Sequence, residues 1–237
     1  MDAAMYKALS GAVAQMHRLD VTSQDLANVN TAGYKGERLA FSEVLAKRLP
    51  ADERPGGLVA VAGQRTLLSQ GAIEKTGNPF NLALEGDGYF VVQTPRGERY
   101  TRNGSFTLRA DGTVITPQGD ALLGDGGPIQ VTGEKMEVAG DGTVTSGVGE
   151  VGKIRIVRFA DSRQVVKEGS NLFLSAPANV QEGADNRVLQ GSLEQSNVSP
   201  IEGMISLIAL NRQFEASERA MKLLDSVTEK MISDGAR

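Results

Sequence analysis

The tail of this chain constrains what the rest can fold into. Leu207, Leu210, Phe214, Ser217, Met221, Leu224, Thr228 and Met231 recur at alternating steps of three and four, the spacing of a helix that packs along one seam. Pro200 stands just ahead of the pattern, where a fixed φ and a missing N–H suit the first turn of a helix. About 30 residues of helix from there would span roughly 45–50 Å. A helix of that length draws most of its stability from packing, so a partner is required.

The opposite end of the chain supplies a matching stripe. Met5, Leu9, Ala12, Met16, Leu19, Ser23 and Leu26 step by four and three, which predicts a second amphipathic helix over about the first 27 residues. One helix leads into the middle of the chain and the other leaves it, so a pairing between them would be antiparallel. The expected fold class is therefore α+β: long N- and C-terminal α-helices pairing as an antiparallel coiled coil, with a β-rich, mainly antiparallel middle domain. Ala12 and Ser23 are small for such a seam, and plain helix packing is the alternative.

Between the helices the pattern changes. Asn28, Asn30 and Gly33 mark the end of the first helix, with Gly33 suited to a positive φ. Leu39, Phe41, Val44, Leu45 and Leu49 predict a short amphipathic helix over 37–49, and Pro50, Pro55, Gly56 and Gly57 then break regular structure. Strand-sized runs follow at 89–93, 99–101, 105–108, 113–116, 121–123, 129–131, 136–139, 154–159 and 172–174. Pro95-Arg96-Gly97, Asn103-Gly104, Asp111-Gly112 and Gln118-Gly119 punctuate them as hairpin turns. Ala110-Asp111-Gly112-Thr113-Val114 nearly recurs as Gly140-Asp141-Gly142-Thr143-Val144, which is read as reused turn chemistry. The chain divides into 1–35 (N-terminal helix), 36–80 (connecting segment), 81–190 (β-rich middle) and 191–237 (C-terminal helix).

Catalytic and metal-binding patterns are sparse. The single His17 lies beside the helical seam with no partner constellation. Gly86-Asp87-Gly88 precedes a strand where a dinucleotide fingerprint would follow one. Asp125-Gly126 and Asp141-Gly142 lack the alternating carboxylates of a calcium loop. Asn103-Gly104-Ser105 fits a glycosylation sequon but is already explained as a turn. No enzyme activity, cofactor or metal is expected. A net charge of -4, with no basic block, gives no attraction to nucleic acid. No apolar run is long enough for membrane insertion, and the N-terminus has no signal-peptide pattern. The absence of cysteine removes disulfides and leaves the redox compartment open.

The informative excess is apolar surface on the helices. Met204, Ile205, Leu207, Ile208 and Leu210 make that part of the tail apolar nearly all round, wider than one partner helix covers. Contact with other subunits would bury the remainder; docking on the chain's own β module is the alternative.

Three blocks carry a family resemblance. Leu26-Ala27-Asn28-Val29-Asn30-Thr31-Ala32-Gly33-Tyr34-Lys35 resembles the N-terminal signature of bacterial flagellar basal-body rod and hook proteins, with Ala32 where proline is usual. Gly77 to Phe90, followed by Tyr100-Thr101-Arg102-Asn103-Gly104-Ser105-Phe106, is similar to the family's central block, with Phe80-Asn81 in place of its usual Leu-Asp. Gly191-Ser192-Leu193-Glu194-Gln195-Ser196-Asn197-Val198, then Met204-Ile205, Arg212-Gln213-Phe214-Glu215 and Met221, is similar to its C-terminal motif. The opening residues and modest length look most like a proximal-rod member, with a distal-rod member second.

The resemblance implies a structural subunit that polymerises through its terminal helices into the drive shaft around the export channel. It implies partnership with itself, with other rod subunits and with the flagellar type III export apparatus, and a place in the periplasmic rod reached without a cleaved signal. The expected assembly residues are Met5, Leu9, Met16, Leu19, Leu26, Asn28, Gly33, Tyr34, Asn197, Met204, Ile205, Leu207, Ile208, Leu210, Phe214, Met221 and Leu224. The rivals from other classes are a cell-wall hydrolase built on the β module and a soluble binding or adaptor module.

Overall fold

The computed structural model describes residues 2–44, 58–133, 135–147, 149–182 and 186–235; side chains at 2–8, 41–44, 58–62, 224–225 and 228–235 lie outside the description. The chain separates into two compact units. The first comprises 1–27, 37–65 and 199–237, and the second 28–36 and 66–198.

The first unit is built on two helices, α1 (Asp2–Ala27) and α2 (Pro200–Gly235). Ser199 caps α2: its hydroxyl accepts from the Glu202 N–H at 3.4 Å and its carbonyl from the Gly203 N–H at 2.9 Å. With Pro200 at the first helical position, the Ser-Pro-Ile-Glu run thus satisfies donors that a helix start leaves open. The helices meet with Gln15 opposite Ser217, 3.2 Å between their side-chain oxygens, and Leu26 beside Gly203.

The expected coiled coil is overturned. Among the described residues these are the two α-helices, and their facing surfaces lack interlocking apolar seams. Of the seam assigned to α1, Leu9 and Met16 are 50% and 49% exposed and the small Ala12 is buried, while the polar Gln15, outside that seam, faces α2. On α2, Leu207, Phe214, Ser217 and Met221 are half-buried, and among the seam positions whose side chains are described Leu210 alone is buried. Where they meet, Gln15 faces Ser217 and Leu26 faces Gly203, so each contact sets a polar or small residue where a coiled coil needs a large apolar knob on both sides.

A second correction concerns 37–49. Glu37–Val44 is a strand paired with a strand over Leu58–Thr66, and the remainder of the predicted helix, with the Pro50–Gly57 breaker, lies outside the described residues. Leu39 and Phe41 are two residues apart, a strand period that the helical reading absorbed.

The second unit centres on a sheet of ten strands among the described residues. Its middle is the antiparallel hairpin Tyr89–Thr94 and Gly97–Thr101. Tyr89–Thr94 is buried on both faces: Phe90 and Val92 join Leu82, Phe106, Val114 and Leu122 on one side, and Tyr89 and Val91 join Val157 and Phe173 on the other. Alternating side chains therefore feed two cores, and Tyr89 adds a tilted ring contact to Phe159 at 4.6 Å.

The Asp-Gly-Thr-Val echo extends beyond turn chemistry. Thr113 N–H donates to the Asp111 carboxylate at 2.9 Å, and Thr143 N–H to that of Asp141 at 3.1 Å. Gly112 and Gly142 both have positive φ, and their carbonyls accept from Val131 and Ile154. At equivalent positions Phe106 and Met136, then Val114 and Val144, are buried in the same core. The repeat is a strand–turn–strand unit, longer than the five matching residues suggest.

Candidate functional site

The three sequence blocks converge on one buried cluster in the second unit. The segment after α1 turns at Gly33, whose φ is +67° and whose N–H donates to the Glu194 carbonyl at 2.7 Å. A Cβ at Gly33 would lie 2.6 Å from the Arg102 carbonyl oxygen, so backbone packing and backbone conformation both demand glycine. Two residues on, Lys35 Nζ donates to Glu194 Oε1 at 2.5 Å and to the Ser69 carbonyl at 2.7 Å. Glu194 Oε2 accepts from Arg102 Nη1 at 3.2 Å, and Gly71 N–H donates to Oε1 at 2.9 Å. The side chains of Lys35, Arg102 and Glu194 are 0%, 1% and 0% exposed.

Neighbouring polar groups lock the same segment. Gly36 N–H donates to Asn197 Oδ1 at 2.8 Å, Asn197 N–H to the Tyr34 carbonyl at 3.3 Å, and Asn197 Nδ2 to the Leu67 carbonyl at 2.7 Å. Lys167 stands 3.7 Å over the Tyr34 ring and donates to the Lys35 carbonyl at 2.9 Å. Asn171, at φ +58° in the turn between strands Val166–Gly169 and Leu172–Leu174, donates to the Ala32 carbonyl at 3.0 Å. Burial holds the Lys35 ammonium below its ordinary pKa, partly offset by the charge and hydrogen bond of Glu194.

This is a structural clasp. Its charges are consumed by one another and by backbone carbonyls, and an ion pair so enclosed is costly to break from one side. Among the expected residues it gathers Gly33, Tyr34 and Asn197; half-buried Asn28 starts its loop, accepting from Thr31 N–H at 3.1 Å. Lys35, Arg102 and Glu194 were absent from the expected set. Each recognised block carries one of them, a complement of charge that spacing along the chain could not pair.

The remaining expected residues lie on the helices of the first unit. Leu9, Met16, Met204, Ile205 and Ile208 are exposed, Leu19, Leu26, Leu207, Phe214 and Met221 are half-buried, and Leu210 is buried. The side chains of Met5 and Leu224 lie outside the described residues. Ile201, Met204, Ile205 and Ile208 form one bare apolar stripe on α2, between 53% and 70% exposed, and Leu9, Val13 and Met16 form another on α1.

Comparison with known proteins matches these regions in order. Residues 5–35 fit the model "Flagella basal body rod protein", 83–146 "Flagellar hook protein FlgE/F/G D1 domain", and 189–234 "Flagellar basal body rod FlgEFG protein C-terminal". The flagellar basal-body rod protein FlgF of Caulobacter vibrioides is 36% identical over 97% of this chain and 95% of its own length. FlgF of Salmonella typhimurium is 34% identical over the same shares, and FlgG of Bacillus subtilis is 28% identical over 97% of each. The chain belongs to the flagellar basal-body rod protein family and is a structural rod subunit. Within the family its likeness is to FlgF, with FlgG next.

Proposed function

We propose that the chain polymerises within the rod by burying the bare stripes of α1 and α2 against neighbouring subunits, forming part of the drive shaft around the export channel. The observation that carries this is the exposure of Ile201, Met204, Ile205 and Ile208 along one helix face, with Leu9, Val13 and Met16 on the other helix. Fully burying one such side chain contributes about 1.5–3 kcal/mol, and stripes on two different helices suit the heterologous contacts of an open helical assembly. The expected interface is the set from Met5 to Leu224 named above, less the clasp residues.

On this reading the subunit transmits torque and makes or breaks no bond. It reaches the rod through the flagellar type III export apparatus. Ile205→Asp with Ile208→Asp tests the interface: the purified variant should keep its fold while cells expressing it lose rod assembly and motility. Normal assembly in those cells would remove the stripe from the function.

A further inference from the structure

The two bare stripes of the first unit have matching spacing. Along α2, the exposed Ile201, Met204 and Ile208 step by three and four, with Ile205 in the gap; along α1 read in reverse, the exposed Met16, Val13 and Leu9 also step by three and four. Set antiparallel, Met16 falls on Ile201, Val13 on Met204 and Leu9 on Ile208. Within one chain these pairs do not meet. Leu26 lies beside Gly203, and about 20 Å of helix separates Leu26 from Val13. The α2 stripe also faces away from its own α1: Gly203, Leu210 and Ser217 lie on the opposite side of the helix, and two of them touch α1.

The sense of the match suits repetition. A shaft built by repeating one operation keeps every copy pointing the same way, so α1 of one copy meets α2 of the next in the antiparallel sense that Gln15 facing Ser217 and Leu26 facing Gly203 define within one chain. Polar groups select the same register. His17 flanks the α1 stripe and Glu202 the α2 stripe, each about a quarter turn to the same side. Both are exposed, and neither side chain has a hydrogen bond or ion pair among the described residues. Antiparallel helices facing one another bring these two flanks together, within one turn along the axis, whereas parallel helices set them on opposite sides. An imidazole N–H can donate to a carboxylate in either protonation state.

We propose that the α2 stripe is covered by the α1 stripe of a second copy of this chain, antiparallel, with Met16 on Ile201, Val13 on Met204, Leu9 on Ile208 and His17 beside Glu202. This rests on the rod reading and names the partner and register of that contact. It also gives the chain's single histidine a role, as the polar latch at the edge of an apolar seam.

The chain has no cysteine, so a disulfide trap tests the register. Val13→Cys with Met204→Cys, expressed in place of the native chain and oxidised in isolated basal bodies, should give dimers and higher multimers on non-reducing gels, because a disulfide forms only where Cα atoms come within about 7 Å. Met16→Cys with Ile201→Cys should do the same and decides the matter if the first variant folds poorly. Leu9→Cys with Ile201→Cys, which only a parallel register joins, should stay monomeric. Adding Glu202→Lys to the first pair should lower the dimer yield about twofold, and adding His17→Glu to that should restore it. An unchanged yield with Glu202→Lys overturns the latch. Assembled rods that give no dimers, or dimers from the Leu9 and Ile201 pair, overturn the register and leave the stripe reading standing. Normal assembly by the chain with Ile205→Asp and Ile208→Asp overturns the stripe reading itself.

Discussion

The clasp and the terminal helices treat their surfaces in opposite ways. The clasp buries three charged side chains and meets them with carbonyls, amides and each other. The helices leave isoleucine and methionine at the surface and meet one another where Gln15 faces Ser217 and Leu26 faces Gly203. The first region meets its charged groups within one chain in all but the Arg102 Nε; the second presents apolar area that a partner would have to cover. A single chain can therefore combine a self-sufficient β unit with helices whose burial awaits assembly, and substitutions should act differently in the two regions.

The largest effect is expected at the centre of the clasp. Glu194→Gln leaves Lys35 and Arg102 buried without their carboxylate and should cost about 3–5 kcal/mol, measured by urea denaturation of the purified chain. A cost below about 1 kcal/mol would mean that water reaches the cluster and the contrast is false. Gly33→Ala should follow at about 2 kcal/mol or more, because the left-handed backbone and the Arg102 carbonyl both oppose a methyl group there.

A pH test examines the core beside the clasp. Tyr89 is raised above its ordinary value to about 12 by burial, so the folded chain holds the phenolic proton where the unfolded chain releases it. Its contribution is fully present below about pH 10 and is lost as pH rises toward 12, an effect on the order of 2 kcal/mol. Tyr89→Phe should flatten the stability profile in that window. An unchanged profile would place the phenol in water.

The smallest effect belongs to the helices. Ile205→Ser on the 62% exposed position should change the stability of the isolated chain by no more than about 0.5 kcal/mol, in contrast with Glu194→Gln. Should both variants destabilise equally, the stripe is already covered within the single chain.

The elements were legible to different degrees. Both helices follow from their three–four periodicity, and the hairpin 89–101 from β-branched and aromatic runs around Pro95-Arg96-Gly97. The strand at 37–44 was hidden because Leu39, Phe41, Val44 and Leu45 satisfy two periods over so short a stretch. The coiled coil failed on side-chain size: the spacing is right, but the surfaces that meet carry Gln15 and Gly203 where packing knobs would be needed. The Asp111 and Asp141 turns were visible as an echo, yet their shared hydrogen bonds to Val131 and Ile154 required the fold.

By itself the sequence determined where the two terminal helices and the central hairpin form, where Gly33 must turn, and that a charged residue sits in each of three distant blocks. Those are local matters, set by side-chain period and backbone sterics. Only the tertiary structure decided that Lys35 and Glu194, 159 residues apart, meet fully buried, and that Met16 faces outward while Gln15 faces α2. Charge pairing and burial depend on which surfaces close over a residue, and neither is written in its immediate neighbours.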